Sequence, residues 1–163
     1  MPLATIVTSE GSIAIELYKD DAPETVENFI QYIKDKFYNG TVFHRVIGNF
    51  MIQGGGYEEN GKGKIVRGTI KSEAANGLKN NKGTLAMARR ASPDSATSQF
   101  FINTNNNDSL NNSPKNEGYT VFGKVTSGME IIDKIRLTKT TTKNSMKDWP
   151  EENIVIQEIY LNE

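Results

Sequence analysis

The run from Phe43 to Gly56, Phe-His-Arg-Val-Ile-Gly-Asn-Phe-Met-Ile-Gln-Gly-Gly-Gly, constrains this chain more than any other stretch. It sets the only histidine and an arginine among large apolar side chains, then closes on three glycines that no regular helix or strand interior would choose. In a strand, residues two apart share a face. Arg45 then sides with Ile47 and Met51 with Gln53, while His44 turns to the opposite face with Val46. A second run, Ser98-Gln99-Phe100-Phe101-Ile102-Asn103, tightens the constraint. Adjacent phenylalanines in one barrel strand cannot both enter the core. One of them points outward, beside Arg45 and Met51, and needs a cover or a ligand. Covered by a loop or helix, the arginine merely snorkels; left open, the two runs form an apolar cleft against one guanidinium.

The rest of the chain supplies many short strands. Ala4–Thr8 and Ser12–Tyr18 flank a turn at Ser9-Glu10-Gly11, and Ile13, Ile15 and Leu17 alternate cleanly in the second. Further strand-like segments fall at Thr41–Ile47, Phe50–Gln53, Ile65–Thr69, Thr84–Ala88, Gln99–Asn103, Thr120–Val125 and Asn153–Leu161. Pro23 suits a first helical turn, and Val26, Phe29, Ile30 and Ile33 follow at helical spacing. Ser127-Gly128-Met129-Glu130 reads as a capping box ahead of Ile131, Ile132 and Ile135. Roughly eight strands and two helices predict a mainly β domain. A closed antiparallel β-barrel capped by two α-helices is favoured over a sandwich. No repeat or linker divides residues 1–163, so one domain is expected. The asparagine-rich stretch from Asn103 to Gly118 predicts a long surface loop.

Several function classes drop out. Lys plus Arg number 19 against 20 Asp plus Glu, so no strong field points to nucleic acid or a membrane surface. The absence of cysteine excludes disulfides, thiolate catalysis and cysteine zinc sites. His44 has no second histidine for a metal and no Gly-x-Ser-x-Gly elbow; a structural histidine hydrogen-bonded near the barrel wall is expected. Gly56 to Lys62 mimics a phosphate loop, but Gly63 stands where Ser or Thr would be needed, so a flexible connection is expected. Asn103, Asn105, Asn107 and Asp108 lack the glycine and terminal glutamate of a calcium loop, leaving a solvated turn. Trp149 is expected to pack the C-terminal strand. No metal or cofactor is expected. The opening Met1-Pro2-Leu3-Ala4-Thr5 runs straight into a strand pattern without a signal core, so a cytoplasmic protein is expected.

Phe43-His44-Arg45-Val46-Ile47 and Phe50-Met51-Ile52-Gln53-Gly54-Gly55 resemble the signature of cyclophilins, the cyclosporin-binding type of peptidyl-prolyl cis-trans isomerase. So do Gly83–Ala88, Ser98–Ile102, Val121–Val125 and the helix segment Ala22–Phe29. The resemblance covers essentially the whole chain and is nearest the compact bacterial cytoplasmic branch. It implies an eight-stranded antiparallel barrel with two helices, acting on Xaa-Pro bonds of peptides and unfolded or partly folded proteins, as a monomer.

Carried over by motif, Arg45 is the catalytic arginine, oriented by Gln53. Phe50, Met51, Phe101 and Leu110 line the proline pocket. Gln99, Ala88 and Arg89 contact the substrate backbone and the residues before proline. Tyr119 stands where many relatives have histidine, and Ser109 where animal relatives often have tryptophan, which puts tight cyclosporin binding in doubt. Arg89, where many relatives have asparagine, is expected to shift preference toward acidic or polar residues before the proline. The competing class is a module that captures proline-containing loops without catalysis.

Overall fold

Alternation in the first hairpin translates directly into burial. The computed structural model, which describes residues 1–163, places β1 at Leu3–Thr8 and β2 at Gly11–Leu17. Ile13, Ile15 and Leu17 are wholly buried, whereas Ser12, Ala14 and Glu16 between them are not. There follow α1 (Pro23–Lys34), β3 (Thr41–Val42), β4 (Arg45–Ile47), β5 (Met51–Gly54), β6 (Thr84–Met87), β7 (Phe100–Asn103) and β8 (Val121–Ser127). The chain ends with α2 (Met129–Arg136), β9 (Thr140–Lys143), β10 (Met146–Pro150) and β11 (Val155–Asn162).

Nine strands form one antiparallel sheet in the order β3-β11-β1-β2-β8-β6-β7-β5-β4. Its two ends, β3 and β4, are halves of the single segment Thr41–Ile47, which breaks at Phe43-His44. The first half pairs with β11 through Val42 and Val155, the second with β5 through Arg45 and Gln53. Counted as one strand they give the expected eight, and the sheet comes full circle through covalent backbone. The barrel is mainly β with two helices, as expected, but its ladder stays open at that junction.

Both helices lay an apolar stripe on the interior. Val26, Phe29, Ile30 and Ile33 of α1 and Ile132 and Ile135 of α2 join one cluster of 26 buried residues. Phe29 packs on Phe100, Phe122 and Tyr38 at ring distances of 5.4, 5.1 and 5.3 Å. Pro23 does open α1, yet Ala22 offers no side-chain cap. The Glu73 carboxylate supplies it from a distance, accepting from the Thr25 backbone N–H and hydroxyl at 2.7 Å each. A helix N-terminus has orphan donors, and a carboxylate satisfies them well.

Several expectations are corrected. Ser127-Gly128-Met129-Glu130 forms no capping box: Gly128, at φ 99°, is itself the cap residue, with no side-chain cap. Ile65–Thr69 is not a strand, and Ile65 is 95% exposed. Gly56–Lys62 is no loose connection, since Glu58 N–H donates to Lys62 O and Gly61 N–H to Glu58 O, both at 2.9 Å. The asparagine-rich stretch is only partly solvated: Asn105 and Asn106 are exposed, whereas Asn103 and Asn107 are buried. Trp149 is fully buried in β10, part of a hairpin with β9 that the sequence reading did not contain. No helix is long and apolar enough to cross a membrane.

Candidate active site

Strand register builds the site. On one face of the sheet, Arg45 pairs with Gln53, Gln53 with Phe101, Phe101 with Ala86 and Ala86 with Val121. The neighbouring row, Val46, Ile52, Ile102 and Leu85, points the other way, into the barrel. Phe100 therefore joins the interior, and Phe101 joins a separate outer cluster with Met51, Ala86 and Val121. The outward phenylalanine anticipated from alternation is Phe101.

Over this cluster lies a hollow of about 140 Å³. Met51 and Phe101, only 1% and 4% exposed, form its floor. Phe50, Leu110 and Tyr119 are its walls, Ala88 and Arg89 its rim, and Arg45 with Gln53 its polar edge. Tyr119 meets Phe101 edge-on at 5.8 Å. Sites for drug-sized ligands run to roughly 300–1,000 Å³. This one suits a single small ring, not a nucleotide. A wider depression along α1, about 590 Å³ and lined mostly by polar side chains such as Glu24, Glu27 and Arg67, collects none of these residues.

Gln99 is the one predicted site residue outside the lining. It stands behind Gln53, whose Nε2 donates to Gln99 Oε1 at 2.8 Å. Gly56 makes room for it, because a Cβ there would lie 2.6 Å from the Gln99 side chain. Arg45 Nη1 in turn donates to Gln53 Oε1 at 3.4 Å, a long bond that leaves the guanidinium its other N–H groups. No carboxylate pairs with it: the chain's ion pairs are Arg67–Asp35, Lys134–Glu10 and Arg136–Asp133. An exposed, uncompensated guanidinium thus borders an apolar hollow.

Arg89 is otherwise engaged. Its Nε and Nη2 donate to Gly118 O at 3.2 and 2.8 Å, its Nη1 to Arg90 O at 2.9 Å and Ala91 O at 3.3 Å. The guanidinium also lies over the Tyr119 ring at 4.3 Å. It clamps one wall of the hollow to the rim. The peptide N–H and C=O of Arg89 itself have no partner within the chain.

His44 is buried against Tyr57 and Trp149, with ring distances of 4.7 and 5.9 Å. The hydrogen bond expected of it is not formed, and its Nδ1 is a buried atom without a partner. Burial, and secondarily the Arg45 charge, lower its pKa to about 4. It is therefore neutral near pH 7 and adds no second cation beside Arg45. Ser109 is exposed and does not line the hollow. Missing from the sequence reading altogether are Asn80, Asn103 and Asn107 as supports of the walls. Only the place of Asn103 in β7, two residues after Phe101 on the same face, hinted at them.

Residues 3–161 match the family model described as cyclophilin type peptidyl-prolyl cis-trans isomerase/CLD. The chain is 54% identical over 149 residues to a peptidyl-prolyl cis-trans isomerase of Acinetobacter baylyi, covering 91% of this chain and 79% of the relative. It is 48% identical to peptidyl-prolyl cis-trans isomerase B of Escherichia coli, over 99% of this chain and all 100% of that one. Among solved structures, a cyclophilin type isomerase of Cryptosporidium parvum superposes with a TM-score of 0.82 at 26% identity, covering 99% of this chain and 98% of that one. The same protein in the presence of the dipeptide Ala-Pro gives 0.81, again at 26% identity, covering 99% of each chain. The matched span contains every strand that builds the hollow, and the chain belongs to the family of cyclophilin-type peptidyl-prolyl cis-trans isomerases.

Proposed function

We propose that this chain accelerates rotation about Xaa-Pro bonds in peptides and in unfolded or partly folded proteins, with Arg45 stabilising the twisted transition state. The observation that carries the reading is an unpaired guanidinium at the edge of a small apolar hollow. Rotation of such an amide faces a barrier of roughly 18–20 kcal/mol, and takes on the order of tens to hundreds of seconds unaided. At the half-turned geometry the proline nitrogen becomes pyramidal and regains a lone pair. Arg45 can donate to that lone pair but not to the planar amide, so the bond lowers the barrier instead of tightening binding. A hydrogen bond to a charged group is worth about 1.5–3 kcal/mol, or roughly one to two decades in rate.

Desolvation supplies a second effect. The planar amide is more dipolar than the twisted one, so the dry surface of Phe50, Met51 and Phe101 favours rotation while it grips the ring. Gln53, held by Gln99, steers the guanidinium, and Arg keeps its charge where Lys could shed it. The unpaired peptide group of Arg89 lies at the rim, where the backbone before the proline would run. A dipeptide such as Ala-Pro already contains the bond in question. With Ser109 contributing no wall, a large cyclic peptide such as cyclosporin finds that side open and binds weakly.

Exchange between cis and trans forms of a short Ala-Ala-Xaa-Pro peptide, followed by NMR or by coupled proteolysis, tests the reading. Catalytic amounts of protein should speed the exchange by orders of magnitude. A peptide that binds beside Phe101 with no gain in exchange rate would make the chain a capture module instead.

A further inference from the structure

The walls of the hollow come from separate loops, and one buried chain of amides joins them. Asn107 Nδ2 donates to Phe50 O and to Asn103 Oδ1, both at 2.7 Å. Asn103 Nδ2 donates to Asn80 Oδ1 at 3.1 Å and to the Thr84 hydroxyl at 2.9 Å. Asn80 Nδ2 reaches Leu110 O at 3.1 Å, Asn111 Oδ1 at 3.3 Å and Tyr119 O at 3.4 Å. Asn80 and Asn103 are completely buried, and Asn107 is 9% exposed.

We propose that Asn80, Asn103 and Asn107 are positioning residues for the isomerase reaction, fixing the gap between the Phe50 wall and the Leu110–Tyr119 wall. This rests on the function proposed above. Three of the main-chain carbonyls on which the chain of amides ends belong to Phe50, Leu110 and Tyr119, and all three residues line the hollow. Further backbone bonds stitch the same parts: Asn107 N–H to Asn80 O at 2.8 Å, Leu110 N–H to Asn107 O at 3.0 Å and Tyr119 N–H to Leu110 O at 2.9 Å. Buried amides are costly unless satisfied. Here both hydrogens of Asn107 and both of Asn103 are used, and the donors all run in one direction. An apolar filling could occupy the same space at little cost in stability. It would not hold three carbonyls, and with them three side chains, at set distances. Proline-ring binding depends on those distances, since small misplacements are magnified in the rate.

Asn107→Asp tests this at constant shape. At pH 7.5 the carboxylate has no hydrogen to give and repels both acceptors. KM for an Xaa-Pro peptide should rise roughly tenfold, with kcat changed much less because Arg45 is untouched. As the pH is lowered from 7.5 the buried carboxyl takes up a proton and regains one donor. The variant's KM should then fall back, against a flat profile for the unmodified chain. Asn153→Ala, which removes the acceptor of the Trp149 indole and whose hydrogen bonds reach no residue lining the hollow, is the control for destabilisation and should leave KM unchanged. If Asp at position 107 prevents folding, Asn107→Ser keeps one donor and should raise KM about threefold. KM within twofold of the unmodified chain in a folded variant, or an equal rise in Asn153→Ala, overturns the proposal. Turnover of the unmodified chain is measured in the same series. If it is absent, the isomerase reading has failed, and the peptide Kd replaces KM as the measure of the gap.

Discussion

Phe100 and Phe101 are neighbours in one strand, yet they live in opposite surroundings. Phe100 is enclosed by Phe29, Tyr38 and Phe43, with ring distances of 5.4, 5.5 and 6.1 Å. Phe101 meets one aromatic ring, Tyr119, packs with Met51, Ala86 and Val121, and borders the hollow. The inner face of the barrel is filled by side chains packed on side chains, and apolar volume is its main support. The outer face is left underfilled, and its walls are held by main-chain carbonyls tied to buried amides and to Arg89. Stability is concentrated on one side of β7 and ligand affinity on the other.

Replacing each phenylalanine should separate the two properties, and this is the largest effect expected. Phe100→Ala should cost about 3–5 kcal/mol in denaturant unfolding, enough to leave a barely folded protein. Phe101→Ala already borders open space and should cost nearer 2 kcal/mol, while abolishing measurable peptide binding. Equal losses of stability would show that the two faces are not energetically distinct.

A second break runs through His44, on the inner side of Arg45. Its pKa is lowered to about 4 in the folded chain against 6.5 in the unfolded one. The unfolded chain therefore binds more protons between these values, and stability falls as pH drops from about 6.5 toward about 4. The loss should total roughly 3 kcal/mol, read from urea midpoints at pH 7.5, 5.5 and 4.5. His44→Phe should flatten that part of the profile. A histidine variant with an unchanged acid slope would assign the slope to other groups.

Arg89 offers a finer test of how the outer face is built. With its donors spent on Gly118, Arg90 and Ala91, it should act as a clamp on Tyr119 and not as a reader of acidic residues. Arg89→Ala should raise KM by roughly three- to tenfold, equally for Glu-Pro and Lys-Pro peptides. A rise confined to Glu-Pro would restore the acidic preference anticipated from sequence.

The same division explains what was legible in the sequence. Alternation in β2, the helical stripe of α1 and the outward turn of one of the two adjacent phenylalanines could all be read, because each is a periodic apolar pattern with one buried face. The β9–β10 hairpin could not. Thr140 to Lys143 and Met146 to Lys147 are polar or partly exposed, and only Trp149 and Pro150 at the end of β10 are buried. Its turn at Asn144-Ser145, with φ of 54° and 64°, is the left-handed pair that a two-residue hairpin loop requires. Ile65 and Val66 misled in the opposite sense, being apolar and β-branched yet exposed. The capping box failed because Gly128 packs against β2, where a Cβ would lie 2.8 Å from Ser12 O. Asparagine in a loop ordinarily signals solvent, so the amide chain behind the hollow left no mark in composition. The lining residues were reached through motif resemblance, and their meeting in one hollow is a property of register.

The most direct test concerns Arg45, exposed on the outer row and free of any ion pair. Exchange NMR on a saturating Xaa-Pro peptide, with Kd measured in parallel, separates rate from binding for Arg45→Ala. The rate should drop by roughly one to two decades, while Kd and the unfolding midpoint stay nearly constant. An unchanged rate, or a loss in Kd as large as the loss in rate, would contradict a guanidinium that acts only on the half-rotated bond.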